Sequence, residues 1–316
     1  LHGYEIRPAV PGDRPALLAL ATASLGWRDD ERHARLFAWK HDENPFGPSP
    51  MWVATAGGEV VGLRAFLRWQ LHRGDEVISA VRAVDTATHP DHQGKGLFTA
   101  LTLHALDAVA AEGVDLVFNT PNDKSMPGYL KMGWREVGRL PASVRLARPG
   151  SVVTTVRSRA AADLWSQPLD VGVGADSWLD HHEPVVDAPD DPRRIVTPVS
   201  AAFWRWRFGG DLLGYRVVES SDSTAAVVVR ARRRGASTEL VQAATSGDPA
   251  GVDDACRRAL SASGADHLLA IGRPDLGHGR LPVPGVGPRL VMRSLSGVAV
   301  PPLANWALTL GDVELF

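Results

Sequence analysis

The chain has 316 residues, 44% of them hydrophobic and 22% charged, with a formal net charge of -2. That length suits two ordinary domains, and the apolar fraction is enough for a substantial core, which excludes a disordered or fibrous chain. Near-neutral charge argues against nucleic acid or an anionic membrane as a partner recruited by bulk electrostatics. The single cysteine, Cys256, excludes an intrachain disulfide and a cysteine-based metal site, so a reducing cytoplasm is expected. No apolar run reaches the ~20 residues of a membrane span, and Leu1-His2-Gly3-Tyr4 shows no basic-then-apolar leader.

Tyr4 to Pro8 alternates and stops at a proline, which predicts a short strand. Asp13 is expected to cap a helix through Leu17, Leu18 and Leu20. Asp30 to His41 has helical spacing and is broken by Asn44-Pro45-Phe46-Gly47-Pro48. Met51–Ala56 and Glu59–Arg68 predict a hairpin across Gly57-Gly58, and Val77–Thr88 a further strand. A helix should open after Gly94-Lys95-Gly96, since Leu97, Leu101, Ala105 and Val109 recur every four residues, and Gly113 should close it. Asp115–Thr120 predicts a buried strand, Ser125–Met132 a short helix, and Trp134–Leu146 one or two more strands. This order gives a mixed α/β layer architecture, not a regular βα repeat.

Residues 149–196, rich in Pro, Asp, Ser and Val, are expected to cross between a first domain at 1–148 and a second at 197–316. Thr197-Pro198 suggests the cap of a helix that Gly209-Gly210 ends. Strands are expected at Tyr215–Val218, Thr224–Arg232 and Thr238–Ala243, a helix at Pro249–Ala262, and a strand at His267–Ile271. Arg230, Arg232, Arg233 and Arg234 are expected at a solvated hairpin end. His181-His182-Glu183 lacks a third partner at metal-ligand spacing, so no metal is expected. Phe37-Ala38-Trp39-Lys40 and Trp204-Arg205-Trp206-Arg207 share a pattern before similar breaks, which suggests that the second half is a degenerate copy of the first.

One segment carries chemistry. His89-Pro90-Asp91-His92-Gln93-Gly94-Lys95-Gly96-Leu97-Phe98 joins a strand to a helix, where glycines let backbone approach a ligand and free helix-start N–H groups attract an anion such as pyrophosphate. It is neither a Walker loop, because no Ser or Thr follows the lysine, nor a dinucleotide fingerprint, because the third glycine is missing.

The stretch resembles the acetyl-CoA loop of the GNAT N-acetyltransferase superfamily, Gln/Arg-x-x-Gly-x-Gly/Ala, over Gln93, Gly94, Lys95, Gly96, Leu97 and Phe98. Phe98 departs from the family's usual small residue. Asn122 to Trp134 resembles the family's downstream Asn-x-x-(Ser/Ala)-x-x-x-Tyr-x-x-x-Gly-(Phe/Trp) segment, and the resemblance spans roughly residues 4 to 146. It implies two tandem GNAT folds, each a mixed, largely antiparallel sheet flanked by helices, with the active site in the first. Acetyl-CoA is the implied acyl-donor cosubstrate, and no metal is implied. The resemblance further implies that Thr86, Ala87 and Thr88 meet the pantetheine arm, that Gln93 to Phe98 cradle the pyrophosphate, that Asn122 and Ser125 contact the pantetheine end, and that Tyr129 protonates the leaving thiolate.

Amine attack on a thioester needs a donor for the carbonyl oxygen, an acid for the thiolate and a base for the amine. Asp85 is the expected base, with His89 and His41 as weaker candidates; the tandem layout also resembles aminoglycoside-acetylating proteins with a C-terminal carboxylate base, which implies a like role for the carboxylate at Phe316. The resemblance also implies that Trp39, His41 and Phe46 border the acceptor pocket. The expected acceptor is a primary amine on a small molecule; a protein amine and a non-catalytic acyl-CoA-binding role are the alternatives. No nucleic acid or membrane partner is expected, and a homodimer is possible.

Overall fold

The computed structural model describes residues 2–151, 161–185, 191–272 and 279–314. The chain divides into two units: Leu1–Gly138 with Arg289–Pro302, and Arg139–Pro288 with Leu303–Phe316. Among the described residues, no helix is long and apolar enough to cross a membrane.

The first unit contains β1 (Glu5–Pro8), α1 (Arg14–Leu25), α2 (Glu31–His41), β2 (Met51–Ala56), β3 (Glu59–Arg73), β4 (Glu76–Thr88), α3 (Leu97–Ala111), β5 (Leu116–Asn119), α4 (Met126–Lys131) and β6 (Arg135–Arg139). β1 to β4 form an antiparallel meander. Gly57 and Gly58, at φ +59 and +89, supply the left-handed pair that a tight β2–β3 turn requires. α3 then returns the chain so that β5 lies parallel to β4. Leu97, Leu101, Ala105, Leu106 and Val109 of α3 bury against Trp52, Ala54, Val61, Phe66, Val81, Ala83 and Val117 of the sheet. Asp30 caps α2 by accepting from the His33 N–H at 2.8 Å. Asp13 does not cap α1; its carboxylate is engaged by Arg7 at 2.7 and 2.8 Å and by the Val10 N–H.

The second unit contains β7 (Ala142–Leu146), β8 (Val173–Gly174), α5 (Ala175–Leu179), β9 (Ile195–Val196), α6 (Ala201–Phe208), β10 (Arg216–Glu219), β11 (Ala226–Arg234), β12 (Ser237–Ser246), α7 (Pro249–Ser263), β13 (His267–Ile271), β14 (Leu281–Pro282) and α8 (Leu310–Val313); β15 (Arg289–Ser294) belongs to the first unit. α6 is capped by Ser200, not Thr197, through the Phe203 N–H at 3.1 Å. Arg230 is not solvated. It is buried and bonds Glu314 at 2.8 Å, while Arg232 bonds both Glu314 and Glu239, because these carboxylates come from segments distant in sequence.

The two sheets repeat one plan. The first runs β1-β2-β3-β4-β5-β15-β6, the second β14-β7-β13-β12-β11-β10-β8. In each, antiparallel strands lead to a helix and then to a parallel neighbour, β4–α3–β5 and β12–α7–β13. In each, the next strand comes from the other half of the chain: β15 pairs antiparallel with β5, and β7 with β13. The first compact unit runs to Gly138 and takes in Arg289–Pro302, which interrupts the second. Nonlocal pairing goes with this division, since β7 pairs with β13 and β15 with β5.

A fragment of residues 1–148 lacks β15 and carries β7 without its sheet, leaving the wholly buried β5 with an open edge. We expect it to aggregate in size-exclusion chromatography and to show no cooperative thermal transition by circular dichroism. Joining residues 289–302 to a fragment ending at Gly138 should restore a cooperative melt. A soluble, cooperatively melting 1–148 fragment would show that β15 is dispensable.

Candidate active site

A β-bulge organises the site. Leu63 of β3 faces Ala87 of β4 and Ala65 faces Val84, so Arg64 alone stands opposite both Asp85 and Thr86. Asp85 takes a φ of +42, a left-handed conformation that costs a side-chain-bearing residue about 1 kcal/mol or more. The bulge changes which side chain continues each face. Val81 and Ala83 pack in the α3-side core, and Thr86 resumes that face, whereas Asp85 meets α2.

On the α2 side the charges are paired. Lys40 Nζ donates to both Asp85 oxygens at 3.1 and 2.9 Å, and the ammonium is itself buried. His41 Nε2 lies 2.8 Å from Asp85 Oδ2, and His41 Nδ1 lies 2.9 Å from Ser49 Oγ. Burial by itself would raise the Asp85 carboxyl, but Lys40 and then His41 more than reverse it and hold it at about 2. Burial also pushes the His41 imidazole below its usual range, against the opposing pull of Asp85.

On the α3 side sits a cation of another kind. Arg64 is wholly buried, and among the described residues no carboxylate lies within ion-pair distance of it. Its guanidinium donates to Thr86 Oγ1, to Thr102 Oγ1 at 3.1 Å, and through both terminal nitrogens to the Tyr129 hydroxyl at 3.2 Å. It also lies 5.1, 5.6 and 5.5 Å from the ring centres of Phe66, Phe98 and Tyr129. Desolvating a guanidinium costs several kcal/mol. Charge-assisted hydrogen bonds of about 1.5–3 kcal/mol each, with cation–π contacts of up to ~2 kcal/mol, are of the size needed to offset it.

Phe98 stands edge-on to Tyr129 at 5.4 Å, and a Cβ on Gly128 would meet the Phe98 ring at 2.7 Å. The bulky residue in the loop's last position is thus accommodated by a glycine in α4. Tyr129 also packs edge-on against Trp134 at 5.0 Å.

The loop before α3 is open. Gly94 and Gly96 take φ of +73 and +80, with empty space where a Cβ would lie. Gly96 caps α3 without any side-chain bond, so the first N–H groups of this helix lack a side-chain acceptor. Gln93 reaches back to the Thr88 carbonyl at 3.2 Å, and Lys95 Nζ donates to the Asp91 carbonyl at 2.9 Å. β4 pairs with β5 only from Ala80 to Arg82, so its edge from Ala83 to Thr88 lies beyond the β5 ladder. Asn119, the last residue of β5, is buried, and its Oδ1 has no hydrogen-bond partner among the described residues. Asn122 turns its Oδ1 to the N–H groups of Lys124 and Ser125 at 3.1 and 3.0 Å and to Ser125 Oγ, organising the start of α4.

The structure therefore joins Thr86 and Tyr129 through Arg64, and Asp85 with His41 through one hydrogen bond. Trp39 and His41 are buried, so neither presents an open surface to an acceptor, while Phe46 is half-buried against Trp69 at 5.7 Å. Phe316 lies outside the described residues. Sequence reasoning missed Arg64, Ser49 and Asn119, and the pairing of Lys40 with Asp85. Arg64 did leave a signal: an arginine inside the apolar run Val60–Leu67 must find buried partners.

Residues 5–137 match the family described as an acetyltransferase (GNAT) domain. The first unit is a GNAT acetyltransferase domain. The match to an acetyltransferase is confined to that domain, while nearly the whole length of the chain follows a fold seen in solved GNAT proteins. A protein from Enterococcus faecalis V583, described as a probable N-acyltransferase, is 10% identical with a TM-score of 0.65, covering 93% of this chain and 73% of its own. A GCN5-related N-acetyltransferase from Anabaena variabilis ATCC 29413 is 11% identical with a TM-score of 0.58, covering 92% and 73%. Eis1 from Mycobacterium abscessus is 13% identical with a TM-score of 0.55, again covering 92% and 73%. At these identities the likeness is one of fold. No curated protein matches the sequence significantly.

Two outcomes follow for the GNAT domain. The Asp85 carboxyl stays ionised in the fold down to about pH 2, and in the unfolded chain only down to its ordinary 3.8. Its stabilisation, of order 2 kcal/mol, is therefore complete above about pH 4 and lost as pH falls towards 2. Asp85→Asn should flatten chemical-denaturation stability across that window relative to the parent; an unchanged pH slope would remove the ion pair from this role. Gly128→Ala should cost about 1–3 kcal/mol by clashing with Phe98. Phe98→Leu in the same chain should recover most of that loss, and a double-mutant cycle with no coupling would contradict the packing.

Proposed function

We propose that the GNAT domain transfers an acetyl group from acetyl-CoA directly to a primary amine, with Tyr129 as the acid for the departing thiolate. The observation that carries this reading is the Tyr129 hydroxyl held by two nitrogens of a buried guanidinium beside Thr86. Arg64 occupies the Tyr129 oxygen as a donor, so the hydroxyl proton is left to point elsewhere. When that proton goes to sulfur, the phenolate oxygen left behind already faces guanidinium N–H groups, and no reorganisation is needed.

The residues present fit the donor. Gly94, Gly96 and the open first turn of α3 suit a pyrophosphate, and Lys95 is within the same loop. The edge of β4 beyond Arg82 suits the pantetheine arm through backbone pairing at Thr86 to Thr88, and the unpartnered Asn119 Oδ1 can accept one of its amide N–H groups. Asn122 and Ser125 act one step back, by shaping the start of α4 that carries Tyr129. Acetyl-CoA supplies the activated acyl group; the nitrogen–carbon bond forms as the carbon–sulfur bond breaks, the amine gives up a proton, and Tyr129 gives one to the thiolate.

The acceptor we favour is a small molecule, such as an amino sugar or an amine-bearing metabolite, with Phe46 as a wall of its pocket; this choice rests on analogy of fold. Calorimetry with acetyl-CoA, followed by thiol release across a panel of small amines and peptides, tests the reading. Tyr129→Phe should keep acetyl-CoA affinity while kcat falls about 10²- to 10⁴-fold. An unchanged kcat removes Tyr129 as the acid, tight binding without turnover on any amine favours a sensor, and turnover on peptides alone overturns the small-molecule acceptor.

A further inference from the structure

His41 was expected to touch an acceptor, yet its side chain has no exposed surface. Its two ring nitrogens are both occupied, Nε2 by Asp85 Oδ2 at 2.8 Å and Nδ1 by Ser49 Oγ at 2.9 Å. An ionised carboxylate only accepts, so Nε2 carries the hydrogen, and Nδ1 of a neutral ring then accepts from the serine hydroxyl. The order of donation is Ser49 Oγ–H to His41 to Asp85. Ser49 is half-buried and is tied to α2 by its own N–H on the His41 carbonyl at 2.9 Å. Any proton reaching the imidazole from a ligand must therefore come through that hydroxyl. The far end of the chain of bonds, Asp85, is bonded directly to Thr86, whose side chain shares the Arg64 guanidinium with Tyr129.

We propose that Ser49, His41 and Asp85 form a relay that takes the proton from the acceptor nitrogen as it attacks, with Ser49 as the group that meets the substrate. This deepens the transferase reading and rests on it. Ser49 Oγ receives the proton from nitrogen and passes its own to His41 Nδ1, leaving an imidazolium whose Nε2–H still points at ionised Asp85. After product leaves, the proton returns by the same path to solvent, so the cycle balances.

Chemistry sets when this can happen. A resting alkylammonium, with a pKa near ~10.4, holds its proton about four orders of magnitude more tightly than an imidazole at its usual value or below. The relay cannot deprotonate it; bulk solvent does. Once nitrogen has bonded to the carbonyl carbon it becomes far more acidic, and a neutral imidazole is then a competent acceptor. Lys40 has a part in this. The charged groups that act on the ring are Asp85 from β4 and Lys40 and Asp42 at the end of α2, with the neutral Ser49 on the remaining side. Lys40 already neutralises Asp85, so it disfavours a resting imidazolium and drives the proton back out between turnovers. Lys40 and Asp85 are positioning residues; Ser49 alone would touch substrate.

Ser49→Ala is a small change at a half-buried position. In the full chain it should lower kcat about 100-fold at neutral pH with acetyl-CoA affinity unchanged by calorimetry, and the loss should shrink as pH rises and hydroxide takes over. Ser49→Thr should restore most of the rate. Nitrogen-15 imidazole NMR of the full chain should show His41 at neutral pH as the Nε2–H tautomer, an assignment that a mere packing role does not require and that turnover does not affect. Parent kcat and pH profile retained in Ser49→Ala overturn the relay alone, as does an Nδ1–H or doubly protonated His41. Absence of thiol release by the parent chain with every amine overturns the transferase reading and the relay with it.

Discussion

Two residues of β4 share the space opposite one residue of β3, and this single extra residue separates the two chemistries of the site. In an unbroken ladder Asp85 would follow Val81 and Ala83 onto the α3 face. The bulge instead turns Asp85 towards α2 and brings Thr86 to Arg64. The carboxylate and the guanidinium, neighbours across the ladder, are thereby kept from neutralising each other. Each is bonded on its own face: Arg64 to Thr86 and Tyr129, Asp85 to Lys40 and His41.

The cost of that separation is borne by burial on both faces. Asp85 answers it with an ion pair to a buried lysine, which holds the carboxyl at about 2. Arg64 answers it with neutral hydroxyls and aromatic faces, an arrangement that leaves its charge uncancelled next to Tyr129. A cation compensated by dipoles and not by a countercharge stabilises whatever negative charge develops beside it, which is what the proposed thiolate departure with Tyr129 as acid demands. The Phe98–Gly128 contact keeps the ring of Tyr129 in place beneath this cation.

The framework that holds these strands is built from both halves of the chain. β5 ends at the buried Asn119, and its far edge is covered by β15, more than 160 residues later. The second unit is closed in the same way by β7, its own first strand, which pairs antiparallel with the distant β13. Its charged cluster around Glu314 and Glu239 ties β11 and β12 to the segment Leu303–Phe316, as a buried network of this kind needs every partner in place to be stable.

Local rules made much of this legible from residues alone. The period of α3, the glycines at 94 and 96, the tight turn at Gly57-Gly58 and the position of Tyr129 in α4 depend on neighbours a few residues away, so pattern and stereochemistry determine them. The resemblance to the GNAT family rests on those segments. Contacts between distant segments were beyond such rules. Lys40 and His41 stand about 45 positions from Asp85, and Arg64 meets Tyr129 across 65. A strand's partner is chosen by which buried edge it can complete, so β7 and β15 read as ordinary strands of their own halves until both sheets are formed. The sequence by itself determined the fold class, the glycine loop and the tyrosine; the bulge, the pairing of each buried charge and the exchange of strands were decided only by tertiary packing, because burial sets a charge's partner and no local pattern encodes which distant group will be buried beside it.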